Sequence, residues 1–353
     1  MFWWNASLRI PQGRKTFNTG IIEEDIEPMV TQMMIEQIMT SAGDAFRQFM
    51  PSEQGKSLDE QIYPWNVEGI SEKMQPSLSP DEADPKTISN ILIMRAVEMQ
   101  HWADYHSYAT MIADENFKKL LNAIAWAEHL HHLKLESLLP TPDQPAQSVL
   151  MSEVALMMGY ERCIEKEPHD TVRNIFEHIW HDHKQHAEFA AQSAQQSGVD
   201  IDKMTGGMDL SGGRPLQEQF MRPDDTIWQG ETRGIYKKDS VDAQTLINID
   251  LSAAVERAAF HDYACAFVLE KDKTTKLHFG AFQSVEDQHI SILGSLRDPS
   301  ETILERTLLH EQVEMKNYHK MMEQESNPRV RQVFEDLYRE DMEHARLFGR
   351  IAG

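Results

Sequence analysis

The chain has 353 residues, a length that corresponds to roughly two domains at about 150 residues each. It carries 34 Lys and Arg against 57 Asp and Glu, which gives a net charge of −23. That acidity argues against binding to nucleic acid or to an anionic membrane surface, because both need basic patches. The apolar runs fall far short of the roughly 18 residues that span a bilayer. The N-terminus resembles no signal peptide, and the two cysteines form no Cys-x-x-Cys pair. The sequence therefore predicts a cytoplasmic protein, of a charge that suits the handling of cations.

Residues 1–86 are predicted to form an N-terminal extension, with a Met-rich helix over 24–50 and a proline-rich loop over 51–85. From Thr87, a candidate N-cap, apolar residues recur with a helical period and strand-like alternation is scarce. The first helical unit covers 87–197, a connection rich in Gly, Pro and Asp covers 198–241, and the second helical unit covers 242–353. The predicted helices run over about 87–114, 115–139, 146–167, 170–197, 242–271, 273–296, 300–325 and 328–351. The predicted fold class is therefore all-α.

The two helical units repeat one another at a fixed offset. Glu98 and Glu256 are 158 residues apart, and each is followed by a similar stretch of sequence. The same offset relates five further pairs: Glu128 and Glu286, His131 and His289, Glu153 and Glu311, His183 and Asp341, and His186 and His344. One offset shared by so many pairs indicates a tandem duplication.

Each helical unit also contains two similar predicted hairpins, so the chain has four. Every hairpin carries a Glu, then a Tyr two helical turns later, then an acidic residue or His on the next helix, and a His one turn beyond that. The spacing between these positions is identical in all four sets: Glu98, Tyr105, Glu128 and His131; Glu153, Tyr160, His183 and His186; Glu256, Tyr263, Glu286 and His289; and Glu311, Tyr318, Asp341 and His344. Four of the eight tyrosines fall at this one position, which chance explains poorly.

This spacing points to a metal site inside a helical bundle. Residues at i and i+3 lie on one helix face, so a Glu-x-x-His pair offers oxygen and nitrogen to one point. The step from Glu98 to Glu128, out along one helix and back along the next, returns the chain to the same height at about 1.5 Å per residue. Two hairpins supply four carboxylates and two imidazoles, the donor set of a di-iron or di-manganese site. The twelve Glu, Asp and His residues are the predicted ligands, and each Tyr is predicted to hydrogen-bond a ligating carboxylate.

The pattern resembles the ferritin-like di-iron carboxylate superfamily, which includes ferritins and rubrerythrins, over about 87–197 and 242–351. The short step from the first Glu to the Glu-x-x-His pair is closer to di-iron oxygenases, such as multicomponent monooxygenases and phenylacetyl-coenzyme A epoxidase. The resemblance implies two four-helix bundles and an oxidoreductase with a di-iron cofactor, or with manganese in its place. It also implies that the enzyme activates dioxygen to oxidise or oxygenate a small organic substrate. An electron-donor protein is the expected partner, and a homo-oligomer the expected assembly.

Two other functions are also compatible with the sequence. One is a ferroxidase, iron-storage or peroxide-scavenging protein, and the other is a non-catalytic scaffold subunit without metal. Large assemblies that take up many iron ions per chain are typical of storage, whereas a scaffold would take up none.

Several structural points are also open. The hairpins can pair within each helical unit, or they can interleave, with the second on the third and the first on the fourth. His183 stands where the other sets have a carboxylate, so its site can be asymmetric, take another metal or be degenerate. Glu161 and Glu314 are expected to be exposed helix charges rather than extra ligands. Cys163 and Cys265 are expected to be buried core thiols.

Overall fold

The computed structural model of the protein describes residues 70–71, 74–79, 82–220 and 241–352. In these ranges the regular secondary structure is entirely helical and no strand occurs, which confirms the all-α prediction. None of the described helices combines the length and the apolar character that crossing a membrane requires. Most of the predicted N-terminal extension, including the Met-rich helix over 24–50, lies outside the described residues, as do residues 221–240 of the predicted connection.

Ten helices make up the described part of the chain, and eight of them are long. The first four are α1 (Pro85–Met111), α2 (Glu115–Leu138), α3 (Pro145–Lys166) and α4 (Asp170–Gln195). Two short helices, α5 (Ile201–Thr205) and α6 (Leu216–Gln219), lie in the connection. The last four are α7 (Ala243–Leu269), α8 (Lys273–Ser295), α9 (Ile303–Gln324) and α10 (Pro328–Ala352). α1 and α7 begin and end at corresponding positions of the repeat.

The helix ends follow from local side-chain chemistry. α1 begins before the predicted cap because Asp84, not Thr87, is its N-cap. Asp84 Oδ1 accepts hydrogen bonds from the first free backbone N–H groups of the helix, including that of Thr87 at 3.1 Å. The Thr87 hydroxyl instead reaches Glu325, the residue that follows α9, at 2.8 Å. The three-residue turns before α2 and α8 end in Asp114 and Asp272, which cap these helices in the same way.

The long helices form four hairpins, α1–α2, α3–α4, α7–α8 and α9–α10, whose first helices pack against one another. α7 contacts α1, α3 and α9, and α1 contacts α3 and α9 as well. Both α1 and α7 are buried on most sides, with residues such as Ile91, Met94, Ile249 and Leu251 in the core, as is typical of a helix enclosed by others. Among the second helices, α2 contacts α10 and α4 contacts α8. These contacts join the first hairpin to the fourth and the second to the third.

Three apolar clusters divide the interior. A central cluster takes residues from all eight long helices, including Tyr160 and Tyr318. One lateral cluster contains Tyr263 and lies between α3, α4, α7 and α8, and the other contains Tyr105 and lies between α1, α2 and α10. Two groups of buried polar residues lie between the central cluster and the lateral ones, where apolar side chains separate them from water.

The two cysteines differ in exposure. Cys163 is buried in the central cluster, as expected, and burial raises the pKa of its thiol to about 12. Cys265 is exposed, so the expectation of a buried thiol is wrong there. The helical phase of α7 explains the difference, because Tyr263 and Ala266 occupy its inner face and Cys265 lies on the outer one.

Candidate metal centres

Six of the expected ligands, carried by α1, α2, α9 and α10, meet in the interior. We call this group site 1; its members are Glu98, Glu128, His131, Glu311, Asp341 and His344. All six are buried, with at most 8% of any residue exposed. Their donor atoms form two overlapping groups, each within 4.8 Å, and Glu128 and Asp341 belong to both. Site 1 therefore has two equivalent ends, each with its own Glu and His, joined by two shared carboxylates.

The imidazoles of site 1 present Nδ1 to the carboxylates. His131 Nδ1 is 3.3 Å from Glu98 Oε2 and 3.2 Å from Glu128 Oε2. At the other end, His344 Nδ1 is 2.9 Å from Glu128 Oε1 and 3.7 Å from the carboxylate of Glu311. His131 Nε2 donates to Glu340 at 2.8 Å. An outward N–H bond of this kind is what orients a metal-binding imidazole, because it leaves the lone pair of Nδ1 pointing inward.

Eight buried atoms of site 1 have no hydrogen-bond partner among the described residues, although several lie close to one another. They are Glu98 Oε2, both oxygens of Glu128, His131 Nδ1, Glu311 Oε2, both oxygens of Asp341, and His344 Nδ1. A buried polar atom without a partner costs about 1–3 kcal/mol. A buried group of this kind could hold metal ions.

Two tyrosines fix the outer oxygens of site 1. Tyr105 donates to Glu311 Oε1 at 2.7 Å, and Tyr318 donates to Glu98 Oε1 at 2.5 Å. Each bond joins the first helix of one hairpin to that of its partner hairpin. Because these bonds occupy Oε1, the second oxygen of each carboxylate is left to face the centre of the site.

The carboxyl groups of site 1 resist ionising together. Burial raises the pKa of Glu98 to about 8. Burial, reinforced by the charge of Glu128, raises the pKa of Glu311 well above its ordinary value. Burial and the neighbouring Glu98 and Glu128 raise that of Asp341 in the same way. Burial also opposes the ionisation of Glu128, but the adjacent histidines outweigh it and lower its pKa. Bound cations would relieve the repulsion among these groups.

A further group of buried ionisable residues adjoins site 1. Glu314 is fully buried, so the expectation of an exposed charge is wrong, because α9 is covered there by α1 and α7. Glu161 is exposed as expected. Glu314 Oε1 accepts a hydrogen bond from His101 Nδ1 at 2.6 Å, and His101 Nε2 is 3.1 Å from Asp250 Oδ2. Asp250 also contacts the guanidinium of Arg297, which already supplies it with a positive charge.

The other six expected ligands meet between α3, α4, α7 and α8. We call this group site 2; its members are Glu153, His183, His186, Glu256, Glu286 and His289, all of them buried. Tyr263 donates to Glu153 Oε1 at 2.5 Å, and Tyr160 donates to Glu256 Oε1. By the offset of the repeat, Glu286 takes the place of Glu128, and His183 takes that of Asp341. Each site combines one hairpin from each half of the sequence. Of the two possible pairings, the structure therefore has the interleaved one.

His183 is bonded through both of its ring nitrogens. Nδ1 is 3.0 Å from Glu153 Oε2, and Nε2 is 3.0 Å from Glu256 Oε1. His289 Nδ1 lies 3.2 Å from Glu256 Oε2 and 3.1 Å from Glu286 Oε2. Among the described residues, only His186 Nδ1 and Glu286 Oε1 of site 2 are left without a hydrogen-bond partner.

The charges of site 2 compensate one another. Burial opposes the protonation of His183 and His289, but the carboxylates, Glu256 foremost, raise the pKa of both rings well above the ordinary value. Burial likewise opposes the ionisation of Glu256, yet His183 and His289 lower its pKa well below the usual range. His131 and Glu128 form a similar pair in site 1, but site 1 has four carboxylates to two histidines, whereas site 2 has three of each.

The described part of the connection supports site 2 from outside. Gly213 lies so close to α4 that a Cβ there would be 2.3 Å from a backbone nitrogen of that helix. This approach places the guanidinium of Arg214 on both oxygens of Asp182, at 2.6 and 2.7 Å. Asp182 in turn accepts a hydrogen bond from His289 Nε2 at 3.2 Å. Burial opposes the ionisation of Asp182, but Arg214 and His289 lower its pKa to about 2.

Several supporting residues were missed from the sequence. Asp182 and Glu340 directly precede the expected ligands at 183 and 341, and each bonds the Nε2 of a histidine across its site. They also occupy corresponding positions of the repeat, so the repeat offered a signal that could have found them. Gln219, whose Oε1 accepts from His186 Nε2 at 2.9 Å, lies in the connection and carries no such signal.

The donor atoms of both sites are carboxylate oxygens and imidazole nitrogens, a set that suits iron or manganese and offers no thiolate. Comparison with models of protein families, with curated proteins and with solved structures gave no match. The functional assignment therefore depends on the geometry of the sites themselves.

Proposed function

We propose that the protein is a di-metal carboxylate oxidoreductase that activates dioxygen at site 1 and oxidises a small organic substrate. Its eight long helices then form two four-helix bundles of the ferritin-like type, each assembled from one hairpin of either sequence half. The helix bounds that recur at the offset of the repeat support a duplication as the origin of the two halves. The eight partnerless buried atoms of site 1 are the observation that carries the proposal.

The donor set of site 1 supports a metal pair. Ferritin-like di-metal bundles take one Glu from each of two helices and a Glu-x-x-His pair from each of the other two. Here α1 and α9 supply Glu98 and Glu311. The pair on α2 is Glu128 and His131, and α10 supplies Asp341 and His344 in the corresponding positions. Asp341 is one methylene shorter than Glu, yet both of its oxygens are buried and have no hydrogen-bond partner among the described residues.

The residues around site 1 have separate tasks in this proposal. When bound, two Fe(II) ions supply electrons for the reduction of dioxygen, and the substrate and an electron-donor protein supply the rest. Tyr105 and Tyr318 hold Glu311 and Glu98 in orientation, and the apolar clusters exclude water. Burial, reinforced by Glu128, raises the pKa of Glu314 well above its ordinary value, so Glu314 Oε2 can hold a proton beside the site.

The test is anaerobic loading with Fe(II), followed by exposure to dioxygen in an oxygen electrode and a stopped-flow spectrometer. We expect wild type to bind Fe(II) and to consume dioxygen with a transient absorbance. Glu128→Gln removes a shared carboxylate and should abolish both Fe(II) binding at site 1 and oxygen consumption. Glu115→Gln is the matched control, since it makes the same change at an exposed position of the same helix.

Other results would favour the alternative functions. Uptake of many iron ions per chain into a large assembly would replace the proposal with iron storage. Rapid peroxide consumption without oxidation of any organic substrate would favour a scavenger. A folded helical protein that binds no Fe(II) and consumes no dioxygen would refute the oxidoreductase and leave the scaffold.

A further inference from the structure

We propose that only site 1 takes a metal pair and that His183 keeps site 2 free of metal. Site 2 is then a hydrogen-bonded joint between the second and third hairpins rather than a second reaction centre. The inference concerns how the two sites differ, and it rests on the proposed function for the binding of metal at site 1.

Positions 183 and 341 correspond in the repeat, yet their side chains are engaged in opposite ways. Both oxygens of Asp341 are buried without a hydrogen-bond partner among the described residues. Both ring nitrogens of His183 are bonded, at 3.0 Å each, to Glu153 and Glu256. The imidazole therefore occupies the inner oxygen of Glu153 and shares Oε1 of Glu256 with Tyr160.

The repeat shows what His183 takes away. Glu153 and Glu256 correspond to Glu311 and Glu98 in site 1, where one oxygen of each carboxylate is bonded to a tyrosine and the other has no partner among the described residues. In site 2 the tyrosines are bonded in the same manner, and Glu256 Oε2 lies 3.2 Å from His289 Nδ1 much as Glu98 Oε2 lies 3.3 Å from His131 Nδ1. The remaining oxygen of Glu153, however, is bonded to His183. The difference between the sites therefore arises inside the ring of ligands and not in their tyrosine supports.

The donor atoms of site 2 lie as close together as those of site 1, in two groups that share His183 and Glu286, but few of them are free of hydrogen bonds. His186 Nδ1 and Glu286 Oε1, 3.0 Å apart, are the two that have no hydrogen-bond partner among the described residues. Zinc takes about four ligands, and ions that prefer oxygen take about six. His289 is placed like His131 of site 1, with Nδ1 toward two carboxylates and Nε2 bonded to Asp182, so the sites differ at His183 and not at this imidazole. A metal ion would have to displace His183 from both of its partners before it could enter.

The first experiment counts and locates metal ions in the full chain. Mn(II) is the probe, because it is stable in air and a coupled pair differs from an isolated ion in its electron paramagnetic resonance spectrum. We expect native mass spectrometry to show about two Mn(II) per wild-type chain with the spectrum of a coupled pair. Glu128→Gln should remove them, and Glu286→Gln, the corresponding change in site 2, should leave them. Four ions per chain, or a pair that Glu286→Gln removes, would overturn the inference.

The second experiment exchanges the residue that distinguishes the sites. His183→Asp gives site 2 the side chain found at position 341 and removes the bonds from the imidazole to Glu153 and Glu256, so we expect a gain of about two Mn(II) per chain. His181→Asp makes the same change at an exposed position of the same helix and should gain none. A folded His183→Asp protein with the wild-type metal count would refute the role of His183. If that variant does not fold, the inference is tested by the first experiment, which shows whether the wild-type ions bind at site 1 or at site 2.

The failures of the two proposals are distinguishable. Wild type that binds two ions at site 1 but consumes no dioxygen refutes the proposed function and leaves this inference standing. Wild type that binds four ions and consumes dioxygen refutes this inference and leaves the proposed function standing. If wild type binds no ion, a gain in His183→Asp still supports the role of His183, and the absence of a gain refutes it.

Discussion

Glu98→Gln should stabilise the metal-free protein, and the gain should grow with pH. An unfolded chain ionises Glu98 near its ordinary pKa of 4.5, whereas burial keeps the folded carboxyl protonated up to about pH 8. The folded state therefore binds more protons in this window, and its stability falls as pH rises, by about 1.4 kcal/mol per pH unit. From 4.5 to pH 7 the loss amounts to about 3 kcal/mol. Glutamine cannot ionise, and its oxygen can still accept the hydrogen bond from Tyr318.

The assay is urea unfolding in the presence of a chelator at several pH values from 4.5 to 8. We expect the difference in unfolding free energy between Glu98→Gln and wild type to shift in favour of the variant by about 3 kcal/mol as the pH rises from 4.5 to 7. Glu115→Gln, whose carboxyl is exposed, is the control and should show no such trend. With Mn(II) bound, the order should reverse, because wild type then has a ligand that the variant lacks. A difference that stays constant across the pH range would mean that Glu98 is already ionised in the metal-free fold. The argument from burial would then be wrong.

Three further outcomes follow from particular contacts. Tyr318→Phe removes the hydrogen bond that orients Glu98, and we expect a loss of about 10–100-fold in Mn(II) affinity by titration; unchanged affinity would contradict that role. Arg214→Ala leaves the buried Asp182 without its main partner and should destabilise the protein by about 3 kcal/mol in urea. Arg339→Ala, which breaks an exposed pair, should change little, and equal losses would contradict the difference in burial. A thiol reagent should label one cysteine of the native chain, the exposed Cys265, and two after unfolding; labelling of Cys163 in the native state would contradict its burial.

The helices and the residues that meet at the sites could be predicted from the sequence because they depend on local periodicity. A ligand on one helix face and a second ligand at the same height on the next helix are fixed by helix geometry alone, and both sites assemble from residues found in this way. Even the tyrosines follow, because a step of two helical turns keeps them on the ligand face. α1 begins a few residues before its predicted start, because two residues that can cap a helix, Asp84 and Thr87, lie within one turn of each other.

What the sequence left open depends on contacts between distant segments. Short turns between hairpins are compatible with pairing inside a sequence half or across the halves, so local rules could not choose between them. Glu314 looks like an exposed charge when α9 is considered alone, and only the cover of α1 and α7 buries it. The two bonds of His183 likewise require Glu153 and Glu256, which lie on different hairpins.

The pairing of the hairpins is nested: the second pairs with the third, and the first pairs with the fourth on either side of them in the sequence. The tyrosine bond from Tyr160 to Glu256 in site 2 spans 96 residues, whereas the bond from Tyr318 to Glu98 in site 1 spans 220. During synthesis from the N-terminus, the inner site is complete once the third hairpin has emerged. Site 1 cannot form until the fourth hairpin has been synthesised, because it needs ligands from both the first and the fourth. Contacts over such separations slow folding. Under the proposal that site 2 holds no metal, it can form first and hold the outer hairpins near each other. Site 2 would then form before site 1 during synthesis and bring together the hairpins that site 1 requires.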